Sequence, residues 1–331
     1  MENQVWMVES PDGDFREVKV PLATLREGDV LVQIAVATVS VLDTKIRAGK
    51  AAHARQPLPA VPGLEMAGTV VDVGPAVTAF RPGDEVFGMV GGVGGHQGTL
   101  AHYVVADARL LALKPLALSM REAAALPLNF ITAWEGLVDQ AGVSAGKTVL
   151  VHAGAGGVGH MAVQIAKAHG AEVFATVSRD KAVVVESYGA TPIDYTTTST
   201  EQYVAEYTNT EGFDIIYDTL GGGTLDASFQ AVKRYTGHVV SCLGWGTHSL
   251  APLSLRAARY SGVFTLLPLL SGNGRVHHGE ILASAAALSS AGRVKPLVNA
   301  ARFTTSQLSE AYRAAAGGAF GKILVEISGG K

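Results

Sequence analysis

The stretch "VLVHAGAGGVGHMAVQIAKAHG", Val149–Gly170, decides the fold. It opens with an apolar run, continues through the glycine pattern Gly154-x-Gly156-x-x-Gly159, and ends in a segment with helical periodicity. This order of a buried strand, a glycine turn and an amphipathic helix predicts a dinucleotide-binding unit. The apolar positions of the helix recur on one face and are Val158, Met161, Ala162, Ile165 and Ala166.

Each glycine of the pattern has a physical reason. Gly154 permits a tight turn, Gly156 lets the backbone approach a pyrophosphate, and Gly159 lets the helix pack closely on the strand. Gly157 and Val158 lie at the predicted start of the helix, where free amides and the positive end of the helix dipole attract phosphate. The alternative is a glycine-rich turn that holds no ligand.

The tip of the next strand, "AEVFATV", selects the cofactor. Sites for NAD usually place Asp or Glu there, against the ribose hydroxyls. Here Ser178 stands at the tip, and Arg179, Asp180 and Lys181 follow it. Because Arg179 and Lys181 can donate charge-assisted hydrogen bonds to a 2′-phosphate, the sequence favours NADPH over NADH. The alternative is a solvated turn with ordinary surface charges.

The rest of the chain divides into three parts. Residues 1–125 contain alternating Val- and Ile-rich runs, such as Asp29–Ser40, that predict a barrel-like β domain. Residues 126–267 alternate strands with helices, which predicts a doubly wound parallel sheet. Residues 268–331 return to the first style and end in the strand "KILVEI". We therefore predict an α/β protein in which a Rossmann domain is inserted into a β domain made from both chain ends.

Composition excludes several classes of protein. The 331 residues carry 26 Lys and Arg against 29 Asp and Glu, a net charge of −3, so nucleic acid and anionic membrane surfaces are not expected partners. No apolar run approaches the ~20 residues of a membrane helix. The single cysteine, Cys242, excludes a cysteine-rich zinc site. We predict a cytoplasmic protein whose partner is a small-molecule substrate.

The motifs "AGAGGVG", "GLEMAGTV" and "FRPGDEVFG" together resemble the medium-chain dehydrogenase/reductase superfamily. The closest branch is that of the zinc-free quinone oxidoreductases, which are zeta-crystallin-like. The resemblance covers essentially the whole chain. It implies a GroES-like β-barrel catalytic domain, a Rossmann domain, a cleft between them, and a homodimer or homotetramer.

The resemblance also allows the zinc site of the family to be checked by position. Motif matching places Ser40, Leu64 and Leu128 where zinc-dependent relatives have their ligands. Leucine has no atom that can coordinate a metal, so we expect no zinc. His96 and His102 are expected to be ordinary polar residues.

Further cofactor contacts follow from the resemblance alone. It implies that Thr132 lies near the nicotinamide and that Tyr195 lies near the adenosine phosphate. For the apolar members of the set, core packing is an equally good explanation. The remaining implied contacts are Thr219 at the adenosine ribose, Leu243 and Gly244 at the nicotinamide ribose, Phe264 and Leu266 at the carboxamide, and Lys322 from the tail.

Hydride transfer to a quinone or an α,β-unsaturated carbonyl needs little help from a Lewis acid, because the acceptor carries its own electron sink. The tyrosines that the family usually places after the position of Ser40 are absent here, and the catalytic residue is unknown. Ser40, Lys45 and His53 are weak candidates for a proton donor. The alternatives are a metal-free alcohol or aldehyde reductase, or a cofactor-binding, crystallin-like protein with little turnover.

Overall fold

A computed structural model describes residues 2–327 of the chain. It contains two compact units: one runs to Leu128 and resumes at Leu266, and the other is Asn129–Thr265. The first boundary between the two units, after Leu128, falls inside a helix that begins at Pro127. Leu128 lies on the side of the first unit, where its amide donates to the Glu65 carboxylate at 2.8 Å.

Strands and helices alternate along the middle of the chain, and strands dominate its two ends. The strands are β1 (Glu2–Met7), β2 (Arg16–Pro21), β3 (Asp29–Val39), β4 (Glu65–Val73), β5 (Glu85–Met89), β6 (Tyr103–Asp107), β7 (Leu111–Leu113), β8 (Thr148–Val151), β9 (Glu172–Val177), β10 (Thr191–Asp194), β11 (Ile215–Asp218), β12 (His238–Ser241), β13 (Arg259–Gly262), β14 (Phe303–Thr304) and β15 (Ile323–Glu326). The α-helices are α1 (Val41–Arg47), α2 (Met120–Ala124), α3 (Pro127–Trp134), α4 (Gly157–Ala168), α5 (Ala182–Ser187), α6 (Thr200–Thr208), α7 (Gly222–Ala231), α8 (Ala251–Arg256), α9 (Leu267–Ser271), α10 (Arg275–Ser290) and α11 (Leu308–Ala316).

Short helices of other types complete the structure. A π-helix, Glu135–Gln140, continues α3, and 3-10 turns occur at Ala52–Ala54, Ala108–Leu110, Arg179–Lys181 and Thr305–Gln307.

The second unit is built on a six-stranded sheet in the order β10-β9-β8-β11-β12-β13, with every neighbouring pair parallel. This is the doubly wound order, with the reversal between β8 and β11. Strands of such a sheet are buried on both faces, and every residue of β11 and β12 is buried. The predicted Rossmann fold is confirmed. The edge strand β13 was missed, because "RYSG" carries no strand-like run of apolar residues.

The first unit contains a seven-stranded sheet and a two-stranded ribbon, β1 with β2. The long strand β3 organises the sheet, since it pairs antiparallel with β4, β6 and β15. Because β14 and β15 come from the tail, both chain ends build this unit, as the fold-class prediction required. Among residues 2–327, no helix combines the length and the apolar character needed to cross a bilayer.

Candidate functional site

The glycine turn lies between β8 and α4, as predicted. Gly156 is the N-cap of α4 and makes no side-chain capping hydrogen bond. The first-turn amides of α4 therefore keep their capacity to bind an anion. A Cβ added to Gly159 would overlap the Ala153 carbonyl, and one added to Gly154 would overlap the Ala175 methyl group. Both glycines are thus required by close packing, and the cradle fits a phosphate group.

The turn is anchored on β9 through one residue that the sequence did not single out. The Thr176 hydroxyl accepts the amide of Ala153 at 3.2 Å, and the Thr176 carbonyl accepts the amide of Gly154 at 3.0 Å. Ala153 has a positive φ of 52°, which is uncommon for a residue with a side chain. Thr176 therefore stabilises a strained turn.

The start of α4 has a second neighbour that the sequence did not reveal. Gly157 is exposed there, and Val158, which follows it, is half-buried. A Cβ added to Gly157 would lie 3.2 Å from the side-chain oxygen of buried Asn129. No local pattern connects residues so far apart, so this contact is found only in the fold.

The tip of β9 gathers the residues that were expected to select the cofactor. Ser178 is the N-cap of the 3-10 turn that holds Arg179 and Lys181, and its hydroxyl makes no capping hydrogen bond. Tyr195 follows β10, is 61% exposed, and donates its amide to the Val177 carbonyl at 3.3 Å. These four side chains therefore start from the ends of two adjacent parallel strands.

A carboxylate that the sequence did not indicate lies at the carboxyl ends of the same two strands, β9 and β10. The Asp194 carboxylate accepts the hydroxyl and the amide of Thr196, at 2.6 Å and 2.9 Å. These hydrogen bonds lower the pKa of Asp194, and the charge of Arg179 adds to the effect. Arg179 is thus close to an acidic group as well as to Ser178.

In the second half of the sheet, the predicted contacts follow β11 and β12. Thr219 donates its hydroxyl to the His152 carbonyl at 2.7 Å. The Leu243 amide donates to the Ser241 hydroxyl at 3.1 Å. A Cβ added to Gly244 would overlap the hydroxyl of Tyr260. The loops after these two strands are therefore closely packed.

Two other predicted residues of this unit have partners within it. Thr132 is buried, its hydroxyl lies 3.0 Å from that of Thr265, and its carbonyl accepts the Tyr217 hydroxyl at 2.6 Å. Phe264 packs edge-on against Trp245, with ring centroids 6.0 Å apart. Their contacts with a cofactor stay predictions.

Leu266 and Lys322 belong to the first unit. Leu266 is buried, and its carbonyl accepts the Leu270 amide of α9 at 3.1 Å. The Lys322 ammonium is buried and forms an ion pair with the fully buried Glu65. Glu65 also accepts the Thr38 hydroxyl at 2.7 Å. The structure therefore gives Lys322 a structural partner that the sequence did not indicate.

The three weak candidates for a proton donor have different environments. Ser40 is the N-cap of α1 and exchanges hydrogen bonds with Asp43 in a capping box. Burial raises the pKa of Asp43 to about 6, against the opposing effect of the Ser40 hydrogen bonds. Lys45 is exposed at the end of α1, and His53 is half-buried in a 3-10 turn. A catalytic role for any of them stays a prediction.

Two of the three positions of the family's zinc ligands carry apolar side chains where a donor would be needed, and the third is Ser40. Leu64 is fully buried and Leu128 nearly so. Within the described part of the chain, no three His, Cys, Asp or Glu side chains are grouped as metal ligands would be. His96 lies 3.4 Å from Arg275, and His102 packs against the Trp6 ring.

Comparison with known proteins assigns the family. The Zinc-binding dehydrogenase model matches residues 157–274, and the Alcohol dehydrogenase GroES-like domain model matches residues 26–116. An alcohol dehydrogenase superfamily protein of known structure from Novosphingobium aromaticivorans is 53% identical, with a TM-score of 0.96 over 98% of this chain and 100% of that one. The chain belongs to the medium-chain dehydrogenase/reductase superfamily. The GroES-like assignment of the first unit is thereby confirmed.

Other relatives define the branch of this superfamily. The chain is 40% identical over 230 residues to the 2-methylene-furan-3-one reductase of Solanum lycopersicum, and 40% identical over 235 residues to the NADPH-dependent alkenal/one oxidoreductase of Arabidopsis thaliana. These matches cover 66% and 69% of this chain, and 56% and 58% of the relatives. The quinone oxidoreductase structure from Coxiella burnetii is 25% identical, with a TM-score of 0.80 over 99% of this chain and 100% of that one. The predicted placement among quinone and enone reductases is confirmed.

Proposed function

We propose that this chain is an NADPH-dependent oxidoreductase that reduces quinones or α,β-unsaturated carbonyl compounds without zinc. The observation that carries the proposal is the uncapped glycine turn of α4, combined with the cationic tip of β9. When bound, NADPH supplies the hydride, and the residues of the chain bind and orient it. The names of the two plant relatives, an alkenal/one oxidoreductase and a furanone reductase, support this substrate class.

Consumption of NADPH in the presence of 1,4-benzoquinone, 9,10-phenanthrenequinone and a panel of enones tests the proposal. We expect turnover with one of these acceptor classes and little with simple aldehydes. Turnover with aldehydes alone would instead favour a metal-free alcohol or aldehyde reductase. Tight NADPH binding without turnover across the panel would favour a crystallin-like binding protein.

Zinc independence rests on Leu64 and Leu128, whose side chains offer no donor atom at two of the three family ligand positions. Activity should therefore survive prolonged dialysis against a strong chelator. Stoichiometric zinc in the purified protein, lost together with activity, would contradict this part of the proposal.

The preference for NADPH gives a sharp prediction. Replacing both Arg179 and Lys181 with alanine should raise the Kd for NADPH about 150-fold or more and change the Kd for NADH by less than about twofold. The reason is that each charge-assisted hydrogen bond to a phosphate contributes about 1.5–3 kcal/mol, and 1.4 kcal/mol is tenfold in affinity. Fluorescence titration with both cofactors measures the two constants.

Lys147→Ala is the matched control. Lys147 directly precedes β8, so it lies at the amino end of that strand, and the glycine turn lies at its carboxyl end. This variant removes one positive charge from the same unit, where the double variant removes two, and should leave both constants unchanged. Equal weakening of NADPH and NADH in the double variant would argue against a 2′-phosphate site at the tip of β9.

We also propose a homodimer formed through the free edge of β13. This strand ends the sheet, and a free strand edge is a template for pairing with another strand. The amides of Arg259 and Val263 donate to carbonyls of Gly237 and Ser241 beside them. Because amides alternate along a strand, those of Tyr260 and Gly262 point away from β12.

Gly262→Pro should therefore convert the dimer to a monomer while sparing the ladder between β12 and β13, because proline removes only the outward amide. Gly262→Ala keeps that amide and is the matched control. Sedimentation velocity measures the mass of both variants. A dimer that persists in Gly262→Pro would show that the subunits associate elsewhere.

A further inference from the structure

A buried polar cluster lies at the carboxyl ends of the central strands, beneath the glycine turn and the loops after β11 and β12. Each of the four central strands contributes one side chain. The members are His152 directly after β8, Thr176 in β9, Asp218 at the end of β11 and Ser241 at the end of β12, and all four are buried.

Asp218 holds two loops at once. Its carboxylate accepts the Ser241 hydroxyl at 2.6 Å and the amides of Leu220 and Gly221 at 3.0–3.2 Å. Ser241 in turn accepts the Leu243 amide at 3.1 Å. Gly221 adopts a positive φ of 74°, and a Cβ there would overlap the Leu243 carbonyl. One carboxylate thus ties the loop after β11 to the loop after β12.

The hydrogen bonds that the structure gives to the Asp218 carboxylate come from neutral donors, a hydroxyl and two backbone amides. The pKa of His248 is raised, first by its hydrogen bond with Asp226 and also by the charge of Asp218, but His248 lies outside the buried cluster. The buried titratable neighbours do not supply a positive charge. Burial lowers the pKa of His152 to about 4, so its ring is neutral at pH 7. Burial raises the pKa of Cys242 to about 12 and also raises the pKa values of Tyr217 and Tyr260. Asp218 supplies the carboxylate of this cluster, and the other three members, His152, Thr176 and Ser241, are neutral.

The half of the sheet that carries Asp218 decides which part of a dinucleotide would lie near its charge. Its two halves each take one mononucleotide, and the crevice lies at the carboxyl ends of the strands. The cationic tip of β9 belongs to the first half, β8 to β10, and matches the phosphorylated adenosine. Asp218 belongs to the second half, β11 to β13, and through Ser241 it holds the loop of Leu243 and Gly244, which the family resemblance places at the nicotinamide ribose.

The oxidised nicotinamide ring carries a positive charge, and the reduced ring is neutral. A fixed negative charge nearby attracts only the oxidised form, and the attraction is stronger inside a protein than in water. We infer that Asp218 is a positioning residue with a second effect on the cofactor. Its hydrogen bonds order the two loops, and its buried charge in addition lowers the Kd of NADP+ relative to the Kd of NADPH. This rests on the proposed function. It would favour hydride transfer towards the acceptor, because the oxidised cofactor is stabilised on the protein.

The test compares the Kd values of NADP+ and NADPH by calorimetry in the wild-type protein and in Asp218→Asn, which keeps the size of the side chain and removes its charge. We expect the ratio of the Kd for NADP+ to the Kd for NADPH to rise roughly fivefold to tenfold, from a Coulomb interaction at an effective dielectric constant of about 20. Asp218→Ser, also uncharged and smaller, should shift the ratio in the same direction.

Ser241→Ala is the matched control, because it removes a hydrogen bond of the same cluster and leaves the charge in place. It should weaken both cofactors equally and leave the ratio within about twofold of the wild type. A role that is only structural would produce this same pattern in the Asp218 variants.

A folded Asp218→Asn or Asp218→Ser protein with an unchanged ratio would therefore overturn the inference. Failure of both variants to fold would overturn it too, because the carboxylate would then serve the fold itself. Failure of the proposed function is distinguishable, since the wild-type protein would then bind neither NADPH nor NADP+. If the wild type prefers NADH, the ratio of the Kd for NAD+ to the Kd for NADH tests the inference in the same way.

Discussion

Replacing Lys322 with methionine should lower the free energy of unfolding by about 3–5 kcal/mol, because it leaves the Glu65 carboxylate buried without its cation. Glu65 is fully buried, and its other partners are the Thr38 hydroxyl and the Leu128 amide, which are neutral. These groups join β3, β4, the residue before β15 and the start of α3, so the loss affects the centre of the first unit. Urea unfolding of both proteins measures the change in the free energy of unfolding.

Lys19→Met is the matched control, since Lys19 forms an ion pair with Glu2 at 3.8 Å but its side chain is 69% exposed. Exposed pairs contribute about 0–1 kcal/mol, so the control should be nearly neutral. The double variant Glu65→Gln/Lys322→Met should lose less than the sum of the two single variants, because neither charge remains unpaired. Additive losses would show that the two side chains do not interact.

Replacing Gly159 with alanine should reduce the affinity for NADPH by roughly 100-fold, equivalent to ~2.7 kcal/mol. The added Cβ would overlap the Ala153 carbonyl, so α4 must move away from the turn and carry its first-turn amides with it. Ala153 cannot relax freely, because its amide and the next one are bound to Thr176. Calorimetric titration with NADPH measures the change.

Gly28→Ala is a suitable control for this substitution. A Cβ at Gly28 would meet no atom within 4 Å, and the residue lies in the first unit, outside the glycine turn. It should bind NADPH like the wild type. Full NADPH affinity in Gly159→Ala would mean that pyrophosphate binding does not depend on the close packing of α4 against the turn after β8.

The local signals in the sequence were strong enough to predict most of the second unit. The glycine spacing, the helix face of α4 and the alternation of strands with helices all depend on contacts between residues close along the chain. By contrast, "RYSG" forms β13 only because β12 is already present to pair with it, and no property of those four residues reveals this.

The cofactor residues show the same division. Ser178, Arg179 and Lys181 were identified from their place after a strand, and the structure puts them together at its tip. Asn129, Thr176 and Asp194 were missed, because each lies near the predicted site through the folding of a distant segment or an adjacent strand. Their roles in binding stay predictions, as do those of Ser40, Lys45 and His53 in catalysis.

By itself, the sequence determined the fold class, the location of the glycine turn and the absence of donor atoms at Leu64 and Leu128. These depend on periodicity, spacing and side-chain chemistry, which are properties of short segments. Only the tertiary structure decided that Lys322 pairs with Glu65, and that Asp218 joins the loops after β11 and β12. The physical reason is that a buried charge must find its partners wherever the fold brings them, and parallel strands bring together residues that are far apart in the chain.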